Sequence, residues 1–355
     1  MSVQLDRPDP ADLERLETTD QFPRVSLFQR TLGSETLDER FLQKVPRIRR
    51  TIYKFLPVAL AQVIEAYIIR TRYDIVISWA ERLGFPLALL LHLPGKRIPH
   101  ITLSGWISKP KKAWFLKLVH HRIDRIIIWS SVQRDYTLNV LKIPQSKVTC
   151  VRKGQDLRFW RPMDTKPDMI CAVGTEMRDY LTLIAAMQGL DIRCHIAAGI
   201  ERGQLPETVK IISSIHTLPP NVTLGRKPYT ELRDLYARSR FVVVPLLPTD
   251  TDNGLTCILE SMAMGKPVIC SRTRGQVDIL EEGKTGIFVP PGDVQALREA
   301  ILYLWHHPEI AGSMGREARK LAEEKYSIEQ FVESVRGVAE EVVNAGQTDR
   351  SGKSA

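Results

Sequence analysis

Three segments in the second half of the chain set charged or hydroxyl-bearing residues beside glycine, a pattern suited to holding a phosphate or a sugar. Val173-Gly174-Thr175-Glu176-Met177-Arg178-Asp179-Tyr180 runs from an apolar stretch through a glycine into a helix. Gly174 lets a phosphate approach the backbone and Arg178 offers a planar fork of donors, although an ordinary tight turn has the same look. Thr249-Asp250-Thr251-Asp252-Asn253-Gly254-Leu255-Thr256 leads into a helix that carries Glu260 about one turn from its start. Amides of Gly254, Leu255 and Thr256 at that helix start would face an anion, because first-turn donors are unpaired and the dipole end is positive. Glu260 in the same crevice is suited to grip the vicinal hydroxyls of a ribose. The third segment runs from Glu260 through Gly265-Lys266-Pro267-Val268-Ile269-Cys270 to Gly275-Gln276 and Glu282–Asp293.

Positioning such loops requires a sheet whose strands all end on one side, and the hydrophobic pattern supplies it. Compact apolar runs at 74–78, 98–103, 125–129 and 148–151 alternate with helical stretches. After a Gly- and Pro-containing segment, 154–168, the alternation restarts with runs at 169–173, 193–198, 222–224, 241–245, 267–270 and 286–289. The pattern predicts an α/β protein of two doubly wound, Rossmann-like domains in tandem, with ligands outside the carboxyl ends of the strands. The expected limits are a polar lead-in at 1–22, frayed or a short helix, a first domain at 23–160 and a second at 161–325. A helix at 326–345 packing back on the first domain and a disordered tail at 346–355 complete it. Val25–Phe28 reads as a first strand.

The third segment resembles the nucleotide-sugar-binding half of retaining GT-B glycosyltransferases, the family 4-like enzymes also called glycosyl transferases group 1. There the order is Glu-Ala-Met-Ala-x-Gly-x-Pro-Val-Ile, a glycine loop, then Gly-x-Thr-Gly-x-x-Val-Pro-Pro-Gly-Asp. The likeness extends over 145–330, including Lys147–Pro162 as an interdomain element. It implies a GT-B fold with a cleft between two Rossmann-like domains. The implied activity moves a hexose-like sugar from a nucleoside-diphosphate-sugar donor to a sugar, glycan or lipid-linked acceptor. Retention of configuration, no metal and no permanently bound cofactor go with it. By position Glu260 matches the glutamate that holds the ribose. The other glutamate of the Glu-x7-Glu signature falls on Asp252, one methylene shorter, and the contact to the donor sugar falls to Asp250 or Asp252. Arg178 stands for one diphosphate-binding base, while Thr175 replaces the arginine that usually follows the glycine. Arg226 and Lys227 either compensate or are surface charges. In the first domain Asp74–Phe85 resembles a strand with its glycine loop, and Glu81 and Arg82 either face the acceptor or cap a helix. The departures leave an alternative, a degenerate nucleotide- or glycan-binding protein on the same scaffold.

Charge is divided unevenly. Residues 1–165 hold 28 Lys and Arg against 16 Asp and Glu, whereas the rest hold 22 against 25. Segment 96–125 combines eight cations with Trp106, Trp114 and Phe115, and so could meet an anionic membrane surface or an anionic substrate. No nucleic-acid motif accompanies the charge, which argues against that partner. Five scattered cysteines exclude a disulfide scaffold and suit a reducing compartment. The adjacent pairs His120-His121 and His306-His307 have the wrong spacing for shared metal coordination, and His92 reads as a rim histidine. With no signal peptide or spanning run, the expected location is cytoplasmic, extending to the inner face of the membrane.

Overall fold

The computed structural model describes residues 8–91, 93, 97–199, 210–211 and 213–351. His92 and Lys96 therefore lie outside the described residues. The chain divides into two units, one built on 26–152 with the final helix from Phe331, the other on 10–25 with 153–330.

The first unit holds four parallel strands in sequence order, β1 (Val76–Trp79), β2 (His100–Ser104), β3 (Arg125–Ile128) and β4 (Val148–Cys150). Every residue of β2 is buried, as expected of a parallel strand covered on both faces. Phe85, Ile107, Leu116, Ile123 and Ile126 form one core cluster. The helix Glu81–Leu90 approaches β2 closely at Gly84, where a Cβ would stand 2.2 Å from Thr102 Oγ1. Val25–Phe28 does not form a strand. Leu27–Leu32 is helical, and Gly33 closes it in the left-handed region at φ 56°.

The second unit is a six-stranded parallel sheet ordered β10-β9-β8-β5-β6-β7. These are β5 (Met169–Val173), β6 (Cys194–Ala197), β7 (Val222–Leu224), β8 (Ser239–Val244), β9 (Val268–Ser271) and β10 (Gly286–Val289). The chain winds outward from β5 to one edge and then from β8 to the other. The strands are apolar on both faces, and Ile170, Tyr180, Ile196, Phe241, Ile269 and Ile301 are fully buried in its core.

Three stretches add to or differ from the sequence reading. The lead-in is a helix, Pro10–Thr18, and its sequel packs in the second unit: Phe22 meets the Tyr229 ring edge-on at 4.5 Å, and Asp20 pairs with Arg161 and Arg233. The start of the Gly- and Pro-containing segment 154–168, which the sequence marks as a candidate linker, is held in place. Gln155 pairs with Ser327 in a parallel bridge, its N–H donating to Tyr326 O at 2.8 Å, and a Cβ on Gly154 would stand 2.1 Å from Ser327 O. Asp156 accepts from the Arg24 backbone N–H at 2.7 Å and from its Nε at 3.0 Å. At the other end the last helix runs from Ile328 to Ser351, so the backbone of 346–351 is helical instead of disordered, and 352–355 lie outside the described residues.

Burial alone would raise the Asp156 carboxyl, but the Arg24 bonds outweigh it and hold the group below its ordinary value of 3.8. Such a carboxylate stabilises the fold above its unfolded pKa, and that contribution is lost as pH falls through the lower folded value. Asp156→Asn, which removes one of the two carboxylates that Arg24 pairs with and leaves it Glu329 alone, should cost about 2 kcal/mol at neutral pH by denaturant titration. The gap from the parent should close as pH drops below the ordinary carboxylate range.

Candidate functional site

The strand order reverses between β5 and β8, so the loops that follow them open a crevice at the carboxyl edge of the sheet. These loops are joined. The Asp179 N–H donates to Pro245 O and the Leu247 N–H to Met177 O, each at 3.0 Å, around an antiparallel bridge of Arg178 with Leu246. Gly174 at φ 97° and Gly254 at φ 92° turn the two loops where an L side chain is disfavoured. A Cβ at Gly174 would also stand 2.6 Å from Arg178 Nη2, and one at Gly254 2.8 Å from Val244 Cγ1.

Arg178 lies beneath these loops instead of facing a ligand. Its side chain is buried, with Nε donating to Val173 O at 3.1 Å, Nη1 to Glu176 O at 2.6 Å and Nη2 to Cys257 Sγ at 3.1 Å. The fork braces the turn after β5 against the helix Leu255–Ala263 and leaves a fixed positive charge under that helix's start. The guanidinium fork expected to offer donors to a phosphate is here engaged by the protein's own Val173, Glu176 and Cys257.

At the start of that helix the Leu255 N–H donates to Asp252 O at 3.1 Å, and Leu255 is buried. Leu255 thus closes the turn, a correction to its expected place among the anion-facing amides. Thr256 is exposed, and a residue that the sequence reading passed over reaches it: Lys153 Nζ donates to Thr256 Oγ1 at 3.2 Å, and Gln155 Nε2 to Thr256 O at 3.4 Å. Lys153 stood in a segment read as an interdomain element, so no chemistry attached to it. The strap to Tyr326 and Ser327 is what carries it here.

Glu260 and Asp252 are both buried and both shifted. Glu260 Oε2 accepts from the Tyr236 hydroxyl at 2.9 Å. Burial pushes its pKa up to about 7 against the opposing pull of Tyr236, Lys153 and Arg178. Asp252 is 9% exposed, with Oδ1 accepting from Thr251 Oγ1 at 3.0 Å and Oδ2 without a hydrogen-bond partner. Burial raises its pKa also, opposed by the Thr251 bond and by Lys153. Two carboxyls that favour the proton beside one lysine form a polar pocket able to take hydroxyls as donors or acceptors. Asp250 is half-buried in the same loop. The loop is locked by Thr249, whose carbonyl accepts from the Gly275 N–H at 3.2 Å, and by the Gln276 side chain on Asn253 O.

The other candidates fall elsewhere. Arg226 lies after β7 with its stem across Gly199, whose Cβ would stand 2.6 Å from Arg226 Cγ. Lys227 is exposed and pairs with Glu231 at 3.0 Å within one helical turn. In the first unit Glu81 is buried and does not face an acceptor: Oε1 accepts from the Gly105 and Trp106 N–H groups at 2.9 and 2.8 Å, and Oε2 pairs with Lys112 at 3.1 Å. It braces the turn after β2. Arg82 is exposed beside it, and Ala80 before it holds φ 93°, ψ 149°, a strained geometry for a side-chain-bearing residue.

Because Glu260 holds its proton more tightly folded than unfolded, it should lower stability progressively as pH rises from about 4.5 to about 7. Glu260→Gln should remove that decline and stand about 1–3 kcal/mol above the parent at pH 8, measured by denaturant unfolding across the range.

The family model for glycosyl transferases group 1 matches residues 175–307, a narrower span than 145–330. Sulfoquinovosyl transferase SQD2 of Arabidopsis thaliana is 24% identical over 321 residues, 83% of this chain but 60% of that protein, so the chain spans less than two thirds of it. Among solved structures, sucrose-phosphate synthase of Thermosynechococcus elongatus superposes with a TM-score of 0.69 at 19% identity, over 85% of this chain and 81% of that one. Anabaena HepE, solved with UDP-glucose, gives 0.66 at 15% identity over 94% and 90%. Its two parallel-sheet units give the chain the GT-B fold of these glycosyltransferases, and residues 175–307 carry its match to glycosyl transferases group 1.

Proposed function

We propose that the chain is a glycosyltransferase whose second unit binds a nucleoside-diphosphate sugar at the β5–β8 switch point. The observation that carries this reading is the cluster of Glu260, Asp252 and Lys153 gathered at the helix Leu255–Ala263, beside two glycine turns. Within it, the Thr256 and Gly254 amides and Lys153 receive the diphosphate, with Arg178 as a buried charge behind them. Fixed donors of this kind stabilise the negative charge that grows on the departing phosphate, so the transfer is proposed to need neither metal nor cofactor. Glu260 takes the ribose hydroxyls. The unpartnered Oδ2 of Asp252, with Asp250 near it, takes hydroxyls of the donor sugar. Retention of configuration and assignment to family 4 follow the resemblance.

UDP-glucose is the first donor to test, since HepE was solved with it. The acceptor is proposed to be a sugar, a glycan or a lipid-linked sugar, as the resemblance implies. The basic, aromatic segment 96–125, with Trp114 68% exposed, supports an anionic acceptor surface, reached from the cytoplasmic side of the membrane. No helix among the described residues is long and apolar enough to cross a membrane.

A thermal-shift series over nucleoside diphosphates and their sugar conjugates tests the donor reading. Saturation at about 100 times Kd should add about 2.7 kcal/mol of stability for the matching nucleotide, and Glu260→Ala should lose that shift. Absence of a shift with every nucleotide would favour the degenerate scaffold. A shift that persists in a chelator is expected and would support metal-independent binding.

A further inference from the structure

Between Glu39 and Glu65 the sequence carries Arg40, Lys44, Arg47, Arg49, Arg50 and Lys54 and no acidic residue. In the fold this stretch comprises the helices Glu39–Lys44 and Arg47–Tyr53, and then the turn into Val58–Ile69. Its inner face is secured. Leu42, Val45, Tyr53 and Ala61 form a buried cluster, the Tyr53 hydroxyl donates to Glu65 Oε2 at 2.7 Å, and Arg49 pairs with Glu65 at 3.2 Å.

The outer face is different. Ile48 is 78% exposed, Ile52 53% and Phe55 84%, while Val58 and Leu60 continue the exposed apolar surface. Ile48 and Ile52 stand one turn apart on the helix Arg47–Tyr53, and Phe55 follows in the turn that closes it, its N–H donating to Ile52 O at 3.1 Å. Lys44, Arg47, Arg50 and Lys54 are exposed among them. Single exposed apolar residues are ordinary on a protein surface, but five within residues 48–60, interspersed with exposed cations, are not. The apolar tips can enter an acyl boundary while lysine and arginine stems extend to anionic headgroups.

We propose that residues 44–60 form a docking face for an anionic lipid bilayer. This inference is independent of the donor site, and it places membrane contact on a different segment from 96–125. The cations give long-range attraction to the bilayer, and Ile48, Ile52 and Phe55 give the short-range anchorage. Binding therefore needs both sets and weakens with salt.

Co-sedimentation of the full chain with phosphatidylcholine vesicles, with and without about one third phosphatidylserine, tests this. Binding is expected only with the anionic lipid, and about tenfold weaker for either Ile48→Ser/Phe55→Ser or Lys44→Gln/Arg47→Gln/Arg50→Gln/Lys54→Gln. All substituted side chains are exposed, and unchanged melting temperatures would show that the variants fold. The proposal fails if wild type ignores anionic vesicles or if either variant binds as wild type does. It also fails if Trp114→Ser abolishes binding while Ile48→Ser/Phe55→Ser does not. A lipid-free dimer that dissociates on Phe55→Ser, seen by sedimentation velocity, would reassign the face to a second copy of this chain and overturn the bilayer.

Discussion

The second unit depends on how the turns after β5 and β8 are tied together at the reversal of strand order. Parallel strands leave their carboxyl-end loops without a ladder, and a crevice there would collapse or fray without internal bracing. Here the bracing is a short antiparallel pairing about Arg178 and Leu246, with a buried guanidinium donating to both loops' surroundings. Gly174 and Gly254 are needed because the arginine and the β8 side chains occupy the space that a Cβ would fill. A residue that first reads as a ligand contact is therefore part of the frame that makes a ligand site possible.

That frame has an electrostatic consequence. Glu260 and Asp252 are withdrawn from water where Lys153 and Arg178 only partly offset the loss of hydration, so both carboxyls hold their protons more tightly than free ones. A pocket of this kind is costly to the empty fold and gains from hydroxyls and phosphates that complete its hydrogen bonds. The strap that carries Lys153 ties its segment to Tyr326 and Ser327, while Arg24 holds Asp156 next to it.

Much of this architecture could be read from the sequence, because buried parallel strands leave compact apolar runs such as 125–129 and 241–245, and ligand loops must follow them. Glu260 and the glycines were legible for the same reason. What escaped was direction and long-range pairing. Arg178 and Glu81 were singled out for ligand contact, yet sequence does not tell whether a charged side chain points outward or bonds inward to a turn. Lys153 and Tyr236 reach the pocket from segments distant in sequence, with no local motif to mark them. The packing of the lead-in escaped for a related reason: Asp20 and Phe22 find Arg161, Arg233 and Tyr229 more than a hundred residues away.

The most direct measurement is a crystal structure of the chain soaked with UDP. The account predicts a diphosphate within hydrogen-bond distance of the Thr256 amide and Lys153, with the ribose hydroxyls on Glu260. A nucleotide bound anywhere other than the β5–β8 switch point would contradict it.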